Sequence, residues 1–79
     1  QEQFRIYPNP SNGFISIDAD FEFDKIRIFN IQGKELMTLE GISNGLNIDL
    51  SKFENGSYII QLETKNGILS TTSRLELIR

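Results

Sequence analysis

The chain has 79 residues, enough for one small domain, and 38% of them are hydrophobic. It contains no cysteine and no histidine, which excludes disulfide bracing and removes the usual general base and the commonest metal ligand. A net charge of −3 argues against a nucleic-acid partner, and no apolar run approaches the ~20 residues of a membrane span.

The first predicted strand, residues 4–7, leads into a stretch with two prolines one residue apart. Pro8 and Pro10 exclude a helix and cannot donate to a sheet ladder, and Asn9 before Pro10 is restricted to an extended conformation. Residues 7–13 must therefore end an edge strand and turn rigidly into the next strand. Physical chemistry alone assigns this stretch no further function.

An acidic loop follows the second predicted strand, residues 13–18. It carries carboxylates at alternate positions, namely Asp18, Asp20, Glu22 and Asp24. Calcium loops use oxygens at such spacing, but Phe23 stands where the EF-hand turn needs glycine and Phe29 where the closing glutamate belongs. We expect a solvated loop, with Phe21 and Phe23 folded over one end of the core, and weak cation binding as the alternative.

The remaining segments alternate apolar and polar residues with a period of two, which predicts half-buried strands. Their spans are residues 25–30, 34–39, 45–50, 57–64 and 68–78, the last with a break near Ser70–Ser73. Around Ser51–Glu54 we expect a single helical turn that crosses between sheets.

Glycine turns punctuate these strands. The Asn-Gly pairs are Asn12-Gly13, Asn44-Gly45, Asn55-Gly56 and Asn66-Gly67, and Gln32-Gly33 adds a fifth turn signal. Asparagine and glycine tolerate the positive φ of tight hairpins, and turns about 8–12 residues apart are typical of sandwiches. The sequence therefore predicts an all-β fold, a small immunoglobulin-like β-sandwich of about seven antiparallel strands in two sheets. We expect residues 1–79 to form a single domain, cut from a larger protein.

The residue content also bears on catalysis and on ligand binding. Nucleophile–base pairs built on Cys or His are excluded, and paired carboxylates need a deep cleft that so small a sandwich rarely has. We therefore expect no enzyme, no cofactor and no metal. Four aromatic residues are candidates for a sugar-binding platform, namely Phe4, Tyr7, Phe14 and Phe29. We expect at least two of the four to serve the core instead.

Three blocks of sequence, taken together, carry a family resemblance. They are IYPNPSNGFISI at residues 6–17, IRIFNIQGKELMTL at 26–39 and IDLSKFENGSYIIQLET at 48–64. In order and spacing they resemble the C-terminal sorting domain (type A) of type IX secretion cargo in Bacteroidota. The chain also ends on a strand with basic residues, as members of that family tend to. Glu76 and the final Arg79 depart from the family's more basic tail, in which lysine is the common last residue.

The resemblance implies a function in protein export. Such a domain lies at the C terminus of a larger cargo protein, attached in cis, which reaches the periplasm through an ordinary signal peptide. The outer-membrane type IX translocon recognises the folded domain and exports the cargo to the cell surface or the medium. A surface sortase-like protease then usually removes the domain, which is the substrate of that protease and not a catalyst.

The family's motif can be carried over position by position. It falls on Pro8, Asn9, Pro10, Gly13, Asn30, Gly33, Gly56 and Tyr58, to which the last strand adds Leu75, Leu77 and Arg79. We expect the glycines to permit turns, Asn30 to hydrogen-bond its own turn, and Tyr58 to pack inward with its hydroxyl paired at the sheet rim.

Recognition is the role we expect for the Pro8–Pro10 stretch and the last strand. Both lie near chain ends, where a sheet edge can accept or donate a strand, so β-augmentation by the translocon is our hypothesis. It predicts that removal of Leu75–Arg79 abolishes export while the fold persists. The alternatives are a carbohydrate-binding module and a purely structural immunoglobulin-like spacer. A dimer formed through an edge strand stays open.

Overall fold

A computed structural model describes residues 4–41, 47–64 and 70–79 of the chain. Within these ranges the alternating segments form seven strands and no helix. The strands are β1 (Phe4–Tyr7), β2 (Phe14–Ala19), β3 (Lys25–Asn30), β4 (Glu35–Glu40), β5 (Asn47–Asp49), β6 (Gly56–Glu63) and β7 (Ser70–Leu77). Strands β1, β2, β3, β4 and β6 begin and end within one residue of their predicted bounds. Since no described residue is helical, the described ranges hold no helix that could cross a membrane.

The strands form two sheets in which every pair of neighbours is antiparallel. One sheet has the order β1-β2-β5 and the other β4-β3-β6-β7. This is the seven-stranded immunoglobulin arrangement except that the fourth strand pairs with the third instead of the fifth. The predicted all-β sandwich is confirmed.

The core consists of the inward residues of both sheets. Its buried hydrophobic members are Ile6, Ile15, Ile17, Phe23, Ile26, Ile28, Ile48, Leu50, Tyr58, Ile60, Leu62, Leu75 and Leu77. Phe21 packs against this cluster, and its ring centroid lies 6.2 Å from that of Phe23 in an edge-on arrangement. The expectation that these two residues fold over the core is confirmed.

Strand β7 runs without interruption, so the predicted break near Ser70–Ser73 is wrong. It pairs with β6 in one continuous register from Ser70 opposite Glu63 to Leu77 opposite Gly56. Because β6 is a regular eight-residue strand, it supplies hydrogen-bond partners even where serine and threonine weaken the apolar alternation of β7.

The predicted turn between β3 and β4 is present, and the predicted crossover after β5 is a hydrogen-bonded turn that is not helical. The Asn55-Gly56 pair does not form a hairpin turn, since Gly56 is the first residue of β6. Phe53 N–H donates to the carbonyl of Leu50 at 2.9 Å in the turn that crosses from β5 to β6, and therefore from one sheet to the other. Gly33 has φ 91° in the turn between β3 and β4. The Asn44-Gly45 and Asn66-Gly67 pairs lie outside the described residues.

The aromatic residues are placed differently from what was expected. Of the four candidates, only Phe4 packs against the core, so the expectation of at least two is wrong. Tyr7 is 45% exposed and Phe14 54%, because Ile6 and Ile15 occupy the inward positions next to them. Phe29 is half-buried on the outer face of β3.

The acidic residues of the predicted loop do not converge on one point, and Asp18 belongs to β2 itself. The Asp18 carboxylate lies 3.5 Å from Arg5 Nη2, on the outer face of the β1–β2 pair. Among the described residues no three potential ligands come close enough together to hold a metal ion.

Candidate recognition surface at one end of the sandwich

The strand register brings the predicted site residues to one end of the sandwich. The register pairs that show this are Asn30 with Tyr58, Tyr58 with Leu75, Gly56 with Leu77, and Ser11 with Leu77. The Gly33 turn joins β3 to β4 at this end, and residues 8–13 join β1 to β2 there. We call this end, formed by residues 7–14, 30–36, 50–58 and 74–79, the motif end.

Asn9 closes part of the free edge of β7. Its Oδ1 accepts a hydrogen bond from Glu76 N–H at 3.0 Å, and its Nδ2 donates to the carbonyl of Arg74 at 3.0 Å. A carboxamide offers a donor and an acceptor side by side, as a peptide group does. Asn9 therefore pairs with β7 as one residue of a neighbouring strand would. Pro8 and Pro10 flank it, each after a cis peptide bond.

Ser11 continues this cover with its backbone. Its N–H donates to the carbonyl of Glu76 at 2.8 Å, and its carbonyl accepts from Ile78 N–H at 2.8 Å. The Ser11 side chain is buried, and its hydroxyl donates to the carbonyl of Phe14 at 2.9 Å and accepts from Gly13 N–H at 3.0 Å. The segment between β1 and β2 is thereby fixed along the end of β7.

Arg79 is held by the turn that links the two sheets. Its guanidinium donates from Nη1 to the carbonyl of Leu50 at 3.4 Å and from Nη2 to the carbonyl of Phe53. Its backbone N–H donates to Asn55 Oδ1 at 3.2 Å. Gly13 lies beside it, since a Cβ at that position would stand 3.7 Å from Arg79 Nη1. These contacts fasten the residues after β7 to the body of the domain.

Glu76 forms a charged cluster beside Asn9 on the outer face. Its carboxylate accepts from the Ser57 hydroxyl at 2.9 Å and from Arg74 Nε at 2.7 Å. The hydrogen bond from Ser57 and, next to it, the one from Arg74 hold the pKa of the Glu76 carboxyl below its ordinary value. The acidic residue that departs from the family's basic tail is thus paired with a tail arginine.

Tyr58 lies at the start of β6 and is buried, as expected. Its hydroxyl donates to the carbonyl of Glu54, four residues upstream, and its ring centroid lies 5.4 Å from that of Phe53. This is the arrangement of the tyrosine corner of immunoglobulin-like sandwiches, in which a tyrosine at the start of the sixth strand ties down the preceding crossover. The expected structural role of Tyr58 is confirmed.

Replacement of Tyr58 by phenylalanine tests this role. The change removes one hydrogen bond and leaves the ring in the core, so we expect the free energy of unfolding to fall by about 1 kcal/mol. Urea denaturation monitored by circular dichroism measures it. A Y58F variant as stable as the wild type would mean that the hydroxyl does not secure the crossover.

Asn30 and Gly33 build the turn between β3 and β4. Asn30 Oδ1 accepts hydrogen bonds from the backbone N–H groups of Gln32 at 3.0 Å and Lys34 at 2.9 Å, which confirms the expected local role. Gly13 and Gly56, with φ 133° and 152°, also lie in the region that favours glycine. The motif glycines and Asn30 therefore shape the backbone of the motif end.

The large hydrophobic side chains that are exposed gather at the same end. In the described part of the chain they are Tyr7 at 45%, Phe14 at 54%, Ile31 at 67%, Leu36 at 41% and Ile78 at 59%. Single exposed apolar residues are common, but their concentration on one end of a small domain is typical of an interaction surface.

Comparison with known proteins identifies the family of the chain. A family model described as secretion system C-terminal sorting domain matches residues 5–76. The chain belongs to this family. The resemblance inferred from the three sequence blocks is thereby confirmed. No curated protein matches the chain.

Membership of the family sets the general function of the sorting domain. It is part of a cargo protein that a secretion machinery handles, and it serves export to the cell surface or beyond. The recognition roles of the individual motif residues stay predictions.

The motif residues of the sorting domain differ in how far their side chains are exposed to a partner. Leu75 and Leu77 have no exposed surface, so their side chains are core residues. Pro8, Asn9, Pro10 and Arg79 are exposed. The exposed motif residues are therefore the ones that a partner of the folded domain could contact directly.

Sequence reasoning missed Ser11, Ser57 and Glu76 as contributors to the motif end. One local signal was available for Ser11: a serine two residues before a glycine often accepts a hydrogen bond from that glycine's N–H in a tight turn. Ser57 and Glu76 come together only through the β6–β7 register, for which the sequence offers no comparable signal.

Proposed function

We propose that this sorting domain directs its cargo through the type IX route, and that the outer-membrane translocon recognises the motif end. One observation supports the proposal: the family's motif positions and the exposed apolar residues lie at the same end of the sandwich. A partner that covers Phe14, Ile31 and Ile78 would remove apolar surface from water. After export, a surface sortase-like protease cuts the domain from the cargo.

The proposal assigns no catalytic role to the domain. Residues 1–79 act as one sorting unit on behalf of the attached cargo, in transit through the periplasm and then at the cell surface. The surface protease is the enzyme and the domain is part of its substrate.

The arrangement around β7 changes the proposed mode of recognition. Asn9 and Ser11 already occupy the edge of β7 from Arg74 to Ile78. A partner strand cannot add at these residues while that cover is in place. We therefore propose that side chains of the motif end, and not the edge of the last strand, are read by the translocon.

A second candidate function, carbohydrate binding, is favoured by one observation. Tyr7 and Phe14 are both exposed on the outer face of the three-stranded sheet. Tyr7 lies opposite Ser16, which is two positions from Phe14, so the two aromatic residues are diagonal neighbours on that face. Paired aromatic faces can stack on sugar rings. Titration of the domain with polysaccharides, followed by tyrosine fluorescence, tests this alternative.

An export assay tests the proposed function. We expect a fusion of a signal peptide, a fluorescent reporter and Gln1–Arg79 to reach the medium or the cell surface in a Bacteroidota strain with a working type IX translocon. In a strain without the translocon the reporter should stay in the periplasm. Periplasmic retention in both strains would contradict the proposal and turn attention to carbohydrate binding.

A pair of variants locates the recognition surface in the same assay. The double variant Ile31→Ser/Ile78→Ser loses two exposed apolar side chains. Because a partner could then bury less apolar surface, we expect export to fall by about tenfold. The matched control is Ile31→Val with Ile78→Val, which stays apolar and should export as the wild type does. Equal export of both pairs would show that recognition does not use these residues.

A further inference from the structure

The edges of the two sheets are protected to different degrees. The edge strands are β1, β5, β4 and β7. Strand β5 has three residues, β1 has four and runs into the prolines, and β7 is covered by Asn9 and Ser11 from Arg74 onward. An uncovered edge strand offers unpaired N–H and C=O groups to another chain. Strand β4, with six residues, is the longest edge strand in the described ranges that has no such cover at any point.

The hydrogen-bond pattern shows which groups of β4 face outward. Gly41 N–H donates to the carbonyl of Asp24 at 2.8 Å, so residue 41 bonds toward β3. Because bonding positions alternate along an antiparallel strand, Leu39 also bonds toward β3, while Thr38 and Glu40 present their backbone groups to the open edge. No backbone partner for Thr38 or Glu40 occurs on that side among the described residues.

A β-bulge limits the open stretch on one side. The register shifts between Ile28, opposite Met37, and Phe29, opposite Glu35, so that Leu36 is the extra residue. Bulges interrupt edge pairing, and this one leaves Met37–Glu40 as the regular part of the edge. Leu36 and the nearby Ile31 are exposed, which extends the apolar surface of the motif end to the start of β4.

The outer face beside this edge has an excess of negative charge. Arg27 lies 3.7 Å from Glu35 and 3.6 Å from Glu63, and Lys25 lies 3.6 Å from Glu40 and 4.0 Å from Glu63. Two cations thus face three carboxylates. The Glu40 side chain is 69% exposed at the open edge, where a cation on an added strand can reach it.

We propose that β4 is the edge at which a partner adds an extended strand, and that this strand alternates apolar with basic residues. The inference rests on the proposed function, since the partner is a component of the export machinery. The backbone of Thr38 and Glu40 supplies the pairing, and the carboxylates of Glu35 and Glu40 select basic side chains. A second copy of this domain fits less well, because it would bring another acidic β4 to the same edge.

Proline at position 38 tests the proposal. Thr38→Pro removes the outward N–H and places its ring at the edge, whereas the bonds to β3 stay, and proline is tolerated on edge strands. Thr38→Val is the matched control, because it loses the hydroxyl but keeps the N–H. We expect the export of T38P to fall about twofold to tenfold relative to T38V, the change that one blocked backbone hydrogen bond gives in binding.

The outcomes separate this inference from the function on which it rests. Failure of the wild-type fusion to be exported contradicts the proposed function. Normal export of the wild type together with equal export of T38P and T38V overturns the β4 inference alone. A wild-type dimer in sedimentation that T38P dissociates would also overturn it, since the occupant would then be a second copy.

A second variant decides the matter if T38P does not fold. Glu40→Lys reverses the exposed charge at the edge, and we expect export to fall about fivefold or more because basic side chains are repelled. Asp18→Lys makes the same change in net charge outside the motif end, on the outer face of the other sheet, and it also removes an exposed ion pair, that with Arg5; this variant should export normally. Equal export of the two charge variants would overturn the inference.

Discussion

We expect a chain that ends at Arg74, without Leu75–Arg79, to lose its folded structure. Leu75 and Leu77 are fully buried, and shortening one buried leucine to alanine alone costs about 2–5 kcal/mol. A domain of this size has a total stability of roughly 4–12 kcal/mol, at 0.05–0.15 kcal/mol per residue. Loss of both leucines costs about 4–10 kcal/mol, which is comparable to the whole stability, and the cover that Ser11 makes on this strand is lost as well. Circular dichroism and a thermal melt measure the loss.

The matched control for this truncation ends at Leu77. It removes the exposed Ile78 and the Arg79 contacts but leaves both core leucines, so we expect a cooperative melt at a lower midpoint. A five-residue truncation that still melts cooperatively would contradict the core role of the end of β7. The structure thus argues against one sequence-based expectation: export lost on removal of Leu75–Arg79 would reflect unfolding, and the shorter truncation is the better test of recognition.

The alternation of apolar and polar residues was sufficient to predict the strands and the all-β fold. Ile15 with Ile17, for example, requires one buried and one solvated face, and a period of two has no other common explanation. The same rule failed for Ser70–Ser73, because the pairing of β7 is imposed by β6 and not by its own residues. For Tyr7 and Phe14 the alternation held and places both side chains outside the core; the expectation that failed was the one based on their size.

The motif end could be predicted only in part. Asn30 and Tyr58 act on residues within four positions of themselves, so local chemistry was enough to anticipate their roles. Asn9 contacts residues 65 and 67 positions away, and no local pattern carries that information. This is why physical reasoning on the sequence assigned the Pro8–Pro10 stretch no role, although the structure shows that it covers part of the edge of β7.

Replacement of Asn9 by alanine should uncover the edge of β7. The variant loses the hydrogen bonds to Arg74 and Glu76, each worth about 0.5–1.5 kcal/mol, so we expect the free energy of unfolding to fall by about 1–3 kcal/mol. In a domain of this size such a loss lowers the melting midpoint by roughly 4–8 °C per kcal/mol. Thermal and urea denaturation measure both quantities.

Asn9→Ala should also promote self-association, because it exposes the edge of β7. A variant that merely lost stability would not show this effect. Freed backbone groups at Arg74 and Glu76 can pair with another copy, so we expect the variant to self-associate in sedimentation at concentrations where the wild type does not. Asn12→Ala is the matched control, because Asn12 is exposed in the same stretch and makes no hydrogen bond in the described part of the chain. It should change stability by less than about 0.5 kcal/mol. If Asn9→Ala and Asn12→Ala behaved alike, the asparagine between the prolines would not be the cover of the last strand, and β-augmentation at that strand would again be possible.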